Sequence, residues 1–340
     1  MGRSRVYNSI TSPEKIEAIC KENQDLRDDF LSYLESIGRS NATIDHYRQD
    51  LDIFFCWSVD NLENKPFPQI TKRDIIRFQT HAIKEWKWSP NRIRTVKAAM
   101  SSLGNYIENI LDEEYKNYRS VVNKVESPVK VATLKKTTWN EAEVQKLLDK
   151  LTDMGDYERA CFVALAAFSG RRKSELCRFR VSDFNDDKLV LDGALYKSDP
   201  IQTKGRGGGK YLNCYTLASR FKPYLDRWMA FRKEHGVESE WLFPSRQDQS
   251  KQIATSTVDS WSGLLSKLSG KDFYPHSMRH AFCTFLLKSG IPEGVVQSII
   301  GWESADMLRV YDDRDTDEQL GRFFVNGEIS APKAAGFEEL

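Results

Sequence analysis

The sequence predicts a mainly α-helical protein of two domains, of which the second also carries a small antiparallel β-sheet. Its 340 residues are about twice the length of an average domain. Apolar residues recur at helical spacing through most of the first 120 positions, and a hairpin pattern follows only after residue 188. With 40% hydrophobic and 11% aromatic residues, the chain can bury an ordinary core in each domain.

Four helices are predicted in the first domain, residues 23–119. The segments "DLRDDFLSYLESIG" and "ATIDHYRQDLDIFFCW" both place apolar residues at helical spacing. Thr71 and Asp74 resemble a capping box before a third helix, and Ser89-Pro90 begins the fourth. We expect residues 1–22 to form an N-terminal extension.

The second domain is predicted to span residues 138–325, after an extended interdomain linker at residues 120–137. The linker loses the helical period and contains Pro128. Thr138 and Glu141 have the spacing of a capping box before the next helix. The following segment "YERACFVALAAF" is apolar on nearly every face, which predicts a helix inside the core.

Short β-strands are predicted next, at "KLVLDG", "IQTK" and "KYLNCY". The glycine-rich "GRGGG" between the last two indicates a hairpin. Amphipathic patterns then predict four more helices, and the remaining residues 326–340 form a C-terminal tail. The four helices are expected at residues 216–234, 256–268, 277–289 and 292–300.

The net charge of +1 conceals an uneven distribution of charge along the chain. Residues 72–97 contain eight lysines and arginines against two acids, whereas residues 303–340 contain ten acids against four lysines and arginines. A basic region of this kind suits a polyanionic partner, although solvated helix faces also produce such runs.

Three segments resemble cofactor-binding motifs but lack residues that those motifs require. "GRGGGK" lacks the P-loop pattern, because Lys204 replaces the first glycine and Tyr211 the final Ser/Thr. His276 and His280 have zinc-helix spacing, but Ser277 replaces the general base and no third ligand is evident. The acidic "DRDTDEQ" lacks the glycine and terminal glutamate of a calcium loop. We therefore expect neither a metal nor another cofactor.

A location in the cytoplasm, at the nucleoid when the protein is bound to DNA, is expected from two further features. No apolar run approaches the roughly 20 residues of a membrane span. The six cysteines form no C-x-x-C pair and mostly lie among apolar neighbours, which is typical of reduced thiols.

After these motifs are excluded, six residues that carry charge or donate hydrogen bonds are left as candidate site residues. They follow one another along the second domain. Taken alone, Arg172 with Glu175 would be an ordinary helix ion pair, and Tyr311 a packing residue at a helix end. The six residues are Arg172, Lys204, His276, Arg279, Trp302 and Tyr311.

The segments that contain these residues resemble the boxes of a known family. "SGRRKSEL" is similar to T-G-x-R-x-S-E-L, with Arg172 for the catalytic arginine, and "HSMRH" is similar to H-x-L-R-H, with His276 and Arg279. Trp302 stands where most members have histidine and a subset has tryptophan, and Tyr311 follows nine residues later, at the nucleophile's position. The chain therefore resembles the tyrosine recombinases, or phage integrases.

The resemblance implies that Tyr311 attacks a DNA phosphate and forms a 3′-phosphotyrosyl intermediate without ATP, metal or other cofactor. Arg172 and Arg279 would meet the phosphate oxygens with forked donors. Because the ordinary pKa of tyrosine is about 10, the phenol needs a base, and His276 has that role in this interpretation.

Three other roles are implied by the resemblance with alternatives left open. Lys204 is the candidate general acid for the departing 5′ oxygen, with Lys210 and Lys197 as alternatives. Trp302 would donate a hydrogen bond to phosphate or hold the nucleophile segment, unless it only fills the core. Glu175 would orient the neighbouring arginine.

The resemblance also implies the partners. A core-site-binding domain and a catalytic domain would form a C-shaped clamp around duplex DNA, and a solution monomer would assemble into a homotetramer on two core sites. Strands would be exchanged through a Holliday junction, with accessory DNA-bending factors as further candidates. Leu320, Phe323 and Phe324 would dock on a neighbouring protomer or pack in cis. The cations expected to contact DNA are Lys72, Arg73, Arg77, Lys87, Arg92, Arg94, Lys97 and Arg206.

Two alternative functions are compatible with the same pattern. A type IB-like strand-relaxing enzyme would use the same residues to make one nick without choosing a sequence. A non-catalytic DNA-binding regulator would keep the fold alone, but every reactive position holds a usable residue. The sequence therefore favours a site-specific recombinase of the integrase or resolvase type.

Overall fold

The computed structural model describes residues 10–129, 137–203 and 210–302, with the short strands Phe324–Val325 and Glu328–Ile329. The chain forms two compact units, one from the described residues up to 129 and one from residue 137 onward. Both units are dominated by helices, so the predicted fold class is confirmed.

The first unit contains the four predicted helices and a short additional one at its start. Its core is rich in aromatic residues, with Phe54 in contact with Phe55, Trp57, Phe67 and Phe78. In order, the helices are α1 Pro13–Glu17, α2 Lys21–Ser36, α3 Asn41–Asn61, α4 Lys72–Lys84 and α5 Pro90–Asn109.

The capping box predicted at the start of α4 is confirmed. Thr71 Oγ1 accepts a hydrogen bond from the Asp74 amide at 3.3 Å, and the Asp74 carboxylate accepts one from the Thr71 amide at 3.0 Å. Lys65 Nζ donates to the same carboxylate at 2.9 Å. Two of the amide groups at this helix end are thus satisfied by side chains.

The described part of the predicted linker, residues 120–129, packs on the first unit instead of forming an open connection. Val122 is only 1% exposed and belongs to the aromatic core. Ser101 Oγ on α5 donates to Asn123 Oδ1 at 2.7 Å, and Gln79 Nε2 on α4 donates to the Glu126 carbonyl at 3.2 Å. Sequence reasoning missed this docking because the contacts are long-range.

The second unit is built around α7 (Tyr157–Ser169), which is buried on nearly every side as predicted. Its residues from Ala160 to Ala166 are at most 2% exposed. The helices of this unit are α6 Glu141–Asp153, α7 Tyr157–Ser169, α8 Lys173–Leu176, α9 Ala218–Glu234, α10 Thr255–Ser269, α11 Pro275–Lys288 and α12 Glu293–Ile300.

The capping box predicted at Thr138 and Glu141 is wrong by two residues. Asn140 is the N-cap of α6, its side chain accepts from the Glu143 amide at 2.9 Å, and Glu143 accepts from the Asn140 amide at 3.0 Å. Asparagine is at least as good an N-cap as threonine, so the later start is favoured.

The described strands of the second unit are β1 Leu189–Val190, β2 Leu195–Lys197, β3 Ile201–Gln202, β4 Tyr211–Leu212, β5 Tyr215–Leu217, β6 Phe324–Val325 and β7 Glu328–Ile329. They form a three-stranded antiparallel sheet of order β1-β2-β5 and two separate antiparallel pairs, β3–β4 and β6–β7. The β3–β4 pair has the register Ile201 to Leu212, as the hairpin pattern predicts. The sequence did not predict β2, and the helix predicted from residue 216 begins at Ala218, after β5.

Within the described residues, no helix combines the length and the apolar character that crossing a bilayer would require.

Replacing Thr71 by alanine should loosen the start of α4. The lost cap costs about 1 kcal/mol, so amides of residues 72–84 should exchange with solvent deuterium faster than in the wild type. Hydrogen exchange with mass spectrometry measures this directly. The matched control is Thr95→Ala in the exposed middle of α5, where alanine is the better helix former. Equal exchange in both variants would contradict a stabilising capping box.

Candidate active site

The site begins at the turn that ends α7. Gly170 terminates this helix with a left-handed φ of 61°, and a Cβ placed there would overlap the Phe282 ring of α11. Only glycine permits this combination of backbone conformation and close approach. The turn therefore brings the next residues against the start of α11.

Arg172 lies directly after this turn and is oriented by Glu175. The Glu175 carboxylate is fully buried and accepts from the Arg172 amide at 3.0 Å and from Arg172 Nη1 at 2.8 Å. The Arg172 side chain keeps 32% of its surface exposed. A buried carboxylate thus fixes a guanidinium whose outer edge still reaches solvent.

Arg279 joins three separate segments of the second unit. It projects from α11, its Nη1 donates to the Gly170 carbonyl at 3.0 Å, and its Nη2 donates to the Ile300 carbonyl at 3.3 Å. The side chain has no exposed surface. Because the guanidinium offers a rigid fork of donors, it can hold two carbonyl groups at once.

His276 lies one turn before Arg279 on α11. The residue reaches the surface, yet the protein atoms around its ring disfavour the charged form, and Arg279 and then Arg172 add positive charge nearby. These causes lower the pKa of His276 below its ordinary value, although Glu175 acts in the opposite direction. The imidazole is therefore neutral near pH 7 and able to accept a proton.

Trp302 lies beside Arg279, at the place where the turn after α7 meets α11. We call this place the active-site corner. The preceding Gly301 ends α12 with a φ of 76°, and the Trp302 amide donates to the Gln297 carbonyl at 3.1 Å. The indole is 7% exposed, belongs to a small apolar cluster with Phe282, and lies 5.3 Å from the Arg279 guanidinium. A cation over an indole face is a favourable contact.

The structure thus brings together five of the predicted site residues: Arg172, Glu175, His276, Arg279 and Trp302. Several others lie outside the described residues, namely Lys204, Arg206, Tyr311, Leu320 and Phe323. For Phe324 only the backbone is described, in β6.

The two alternative candidates for the general acid are both exposed. Lys210 directly precedes β4, where its carbonyl accepts from the Thr203 amide at 2.6 Å and from Thr203 Oγ1 at 2.9 Å. Lys197 ends β2, in the three-stranded sheet. In the sequence, Lys204 falls between β3 and β4, outside the described residues.

Most of the cations predicted to contact DNA lie on the surface of the first unit. Lys72, Arg73, Arg77, Lys87 and Arg94 are exposed. Arg92 is half-buried and pairs with the buried Asp50 at 2.6 Å. In this pairing Arg92 also stabilises the first unit.

Lys97 requires a correction. It is 4% exposed, and its Nζ donates to the Val125 carbonyl at 2.7 Å. Burial, and then the nearby Arg94, lower the pKa of this amine. Lys97 therefore anchors the docked segment after residue 120 instead of presenting a charge at the surface.

One residue of the site was missed from the sequence. Arg171 precedes Arg172, is 1% exposed, and its Nη2 donates to the Ile299 carbonyl near the end of α12. The only signal was a second arginine directly after an apolar helix and a glycine turn. Elsewhere in the described ranges, no group of three His, Cys, Asp or Glu side chains is placed to hold a metal ion.

Comparison with known proteins agrees with this site. The model of the phage integrase family matches residues 138–318, and the model of the phage integrase N-terminal SAM-like domain matches residues 26–117. The chain belongs to the phage integrase family. The first match covers every residue of the corner described above, and the second covers most of the first unit.

Individual relatives are similar along nearly the whole integrase chain. The SPbeta prophage-derived recombinase-like protein YomM of Bacillus subtilis is 28% identical over 335 residues, which is 96% of this chain and 98% of the relative. Tyrosine recombinase XerD of Listeria innocua is 28% identical over 298 residues, covering 84% and 93%. Tyrosine recombinase XerA of Pyrococcus horikoshii is 25% identical over 290 residues, covering 85% and 89%.

Solved structures share the fold at lower sequence identity. The XerH recombinase in a post-cleavage complex with palindromic difH has a TM-score of 0.62 at 18% identity, covering 82% of this chain and 79% of that one. A lambda integrase tetramer bound to a Holliday junction also has a TM-score of 0.62, at 17% identity, covering 86% and 79%. The family match and the relatives identify the integrase as a tyrosine-type site-specific recombinase, and neither alternative function is favoured.

The lowered pKa of His276 predicts the acid limit of DNA cleavage. If the neutral imidazole accepts the phenol proton, activity is lost as the pH falls through the folded-state pKa, which lies below the ordinary value of about 6.5. Initial rates of covalent protein–DNA adduct formation between pH 4.5 and 8 measure this limit.

In His276→Gln the rate should fall by about 10²–10⁴ and lose this acid limit. The control is His235→Gln, because His235 lies at the end of α9, where it stacks on Phe231. The control should keep the wild-type profile. An unchanged acid limit in His276→Gln would show that another group titrates.

Proposed function

We propose that this integrase exchanges DNA strands at specific core sites through a transient bond between Tyr311 and a 3′ phosphate. The observation that carries the proposal is the corner where Arg172, His276, Arg279 and Trp302 meet, since these residues come from three separate parts of the sequence. Tyr311 follows Trp302 by nine residues in the sequence.

The corner suits an anionic substrate. Arg172 and Arg279 supply forked donors for the non-bridging oxygens, on which negative charge grows during attack on phosphorus. Arg172 is already accessible, whereas Arg279 is covered. We propose that DNA binding uncovers the Arg279 guanidinium while its hydrogen bonds to the Gly170 and Ile300 carbonyl groups are kept.

The reaction would proceed by in-line transfer. Tyr311 Oη forms a bond to phosphorus as the bond from phosphorus to the 5′ oxygen breaks. The phenol proton passes to neutral His276, and Lys204 gives a proton to the departing 5′ oxygen. A free 5′ hydroxyl of the partner strand then reverses these steps, so the phosphotyrosyl bond supplies the energy for rejoining.

The assembly on DNA is proposed by analogy with the solved structures. One of them is a tetramer on a Holliday junction, and others are bound to recombination-site DNA. We propose that four copies of this chain bring two duplexes together, with Leu320, Phe323 and Phe324 as the contact between copies. The exposed cations of the first unit would hold phosphates and make binding salt-dependent.

Covalent trapping tests the central step. A pool of nicked duplexes with a randomised core sequence is incubated with the integrase, and adducts stable to detergent are isolated and sequenced. We expect wild type to select one core sequence and Tyr311→Phe to form no adduct while binding that duplex with unchanged Kd. The matched control is Tyr211→Phe on β4, which is 61% exposed and should still form the adduct. An adduct with Tyr311→Phe, or none with wild type, would refute the proposal.

The identity of the general acid is tested with a modified leaving group. Lys204→Ala should cleave the selected duplex about 10²–10⁴ times more slowly. A sulfur in place of the bridging 5′ oxygen should restore the rate, because a thiolate leaves without protonation. Lys210→Ala and Lys197→Ala serve as comparisons. If sulfur restored the rate of Lys210→Ala or Lys197→Ala but not that of Lys204→Ala, the rescued position would be the general acid.

A further inference from the structure

Arg171 occupies an unusual place beside the active-site corner. It is among the largest fully buried side chains of the chain, with 1% of its surface exposed. Its Nη2 donates to the carbonyl of Ile299, a residue 128 positions away. Its Nη1 lies 3.7 Å from where a Cβ on Gly301 would be, which puts the guanidinium against the turn that leads to Trp302.

The charge of Arg171 is directed at the end of a helix. In the described part of the chain this guanidinium has no carboxylate partner, although an isolated buried cation is costly. The last carbonyl groups of a helix carry partial negative charge and lack partners within the helix. The end of α12 therefore supplies both the acceptor and the electrostatic compensation.

Two arginines hold adjacent carbonyl groups at this helix end. Arg171 binds the Ile299 carbonyl and Arg279 binds the Ile300 carbonyl, and Arg279 also binds the carbonyl of Gly170. The turn that presents Arg172 is thus tied twice to the last turn of α12. Arg279 belongs to the family's second box, whereas Arg171 stands at the unspecified position of the first box.

We propose that Arg171 is a positioning residue for strand cleavage. By holding the last turn of α12, it fixes where the segment from Trp302 to Tyr311 begins relative to Arg172. The inference rests on the proposed role of Tyr311 as nucleophile. Arg171 itself touches neither DNA nor the reacting atoms in this assignment, because its guanidinium is directed at the end of α12.

The expected consequence is a loss of rate without a loss of affinity. A nucleophile displaced by about 1 Å can cost about 10² in rate. In Arg171→Met, which keeps an unbranched apolar side chain but removes the guanidinium donors, single-turnover adduct formation at saturating duplex should slow by about 10². In Arg171→Lys, whose ammonium can still donate to the Ile299 carbonyl, the loss should stay within about tenfold. The Kd for the duplex should be unchanged in both variants.

Two further measurements separate positioning from other defects. With sulfur as the leaving group, Arg171→Met should remain slow, because its defect is not in protonation of the 5′ oxygen. Hydrogen exchange in residues 293–302 should be faster in Arg171→Met than in wild type, with Arg171→Lys between them. If Arg171→Met does not fold, the hydrogen exchange of Arg171→Lys is compared with that of wild type instead.

Arg232→Met is the matched control. Arg232 on α9 is also a buried arginine, 2% exposed, and it donates to the carbonyls of Ser239, Trp241 and Leu242, which are not part of the corner. Its replacement should lower Tm but leave the single-turnover rate of folded protein unchanged.

Wild-type rates in Arg171→Met, or equal rates in Arg171→Met and Arg171→Lys, would overturn the assignment. So would slow cleavage in Arg232→Met to the same degree, because the effect would then follow from lost stability. These results require that wild type forms the adduct. Absence of a wild-type adduct would instead refute the proposed function, so the two failures are distinguishable.

Discussion

The bridge made by Arg279 is the interaction on which the active-site corner depends. A single buried guanidinium donates to carbonyl groups on two segments, at Gly170 and Ile300, while its own backbone lies in α11. A buried cation is tolerated only when its donors meet acceptors, so this arrangement permits little variation in geometry. A lysine could not satisfy both acceptors with the same fixed directions. The positions of Arg172, His276 and Trp302 relative to one another follow from this bridge.

The corner is rigid because it is built directly on the core of the second unit. Helix α7 is enclosed by other elements, and its C-terminal turn can approach α11 only because Gly170 lacks a side chain. Glu175, which is also fully buried, then holds Arg172 by two hydrogen bonds without closing it off from solvent. The same packing that stabilises the fold therefore limits the movement of the groups that would meet a phosphate. The residues that stabilise this part of the fold therefore also position the groups proposed for catalysis.

Local patterns in the sequence predicted the elements well, and long-range contacts explain what they missed. The capping box of α4, the buried α7 and the β3–β4 hairpin each depend on a few neighbouring residues. Lys97 was predicted to contact DNA, but the chain 28 residues later covers it. Arg171 was passed over for a related reason, since its acceptor is 128 residues away and its position in the motif is unspecified. The sequence shows which residues are charged, whereas tertiary packing decides which groups those residues contact.

The positive charge at the active-site corner meets two requirements of the proposed reaction, a neutral base and a stabilised phenolate. Three guanidiniums, those of Arg171, Arg172 and Arg279, lie near the corner, and Glu175 is the carboxylate that the described residues place among them. Burial, followed by the positive charges of Arg279 and Arg172, lowers the pKa of His276, so the imidazole is neutral and can take a proton. The same positive charge favours the ionised form of a phenol brought to the corner and the growing charge on a phosphate. Positive charge disfavours the protonated imidazole and favours the ionised phenol, so both requirements call for the same surroundings. With histidine as the base, one cationic corner meets both requirements.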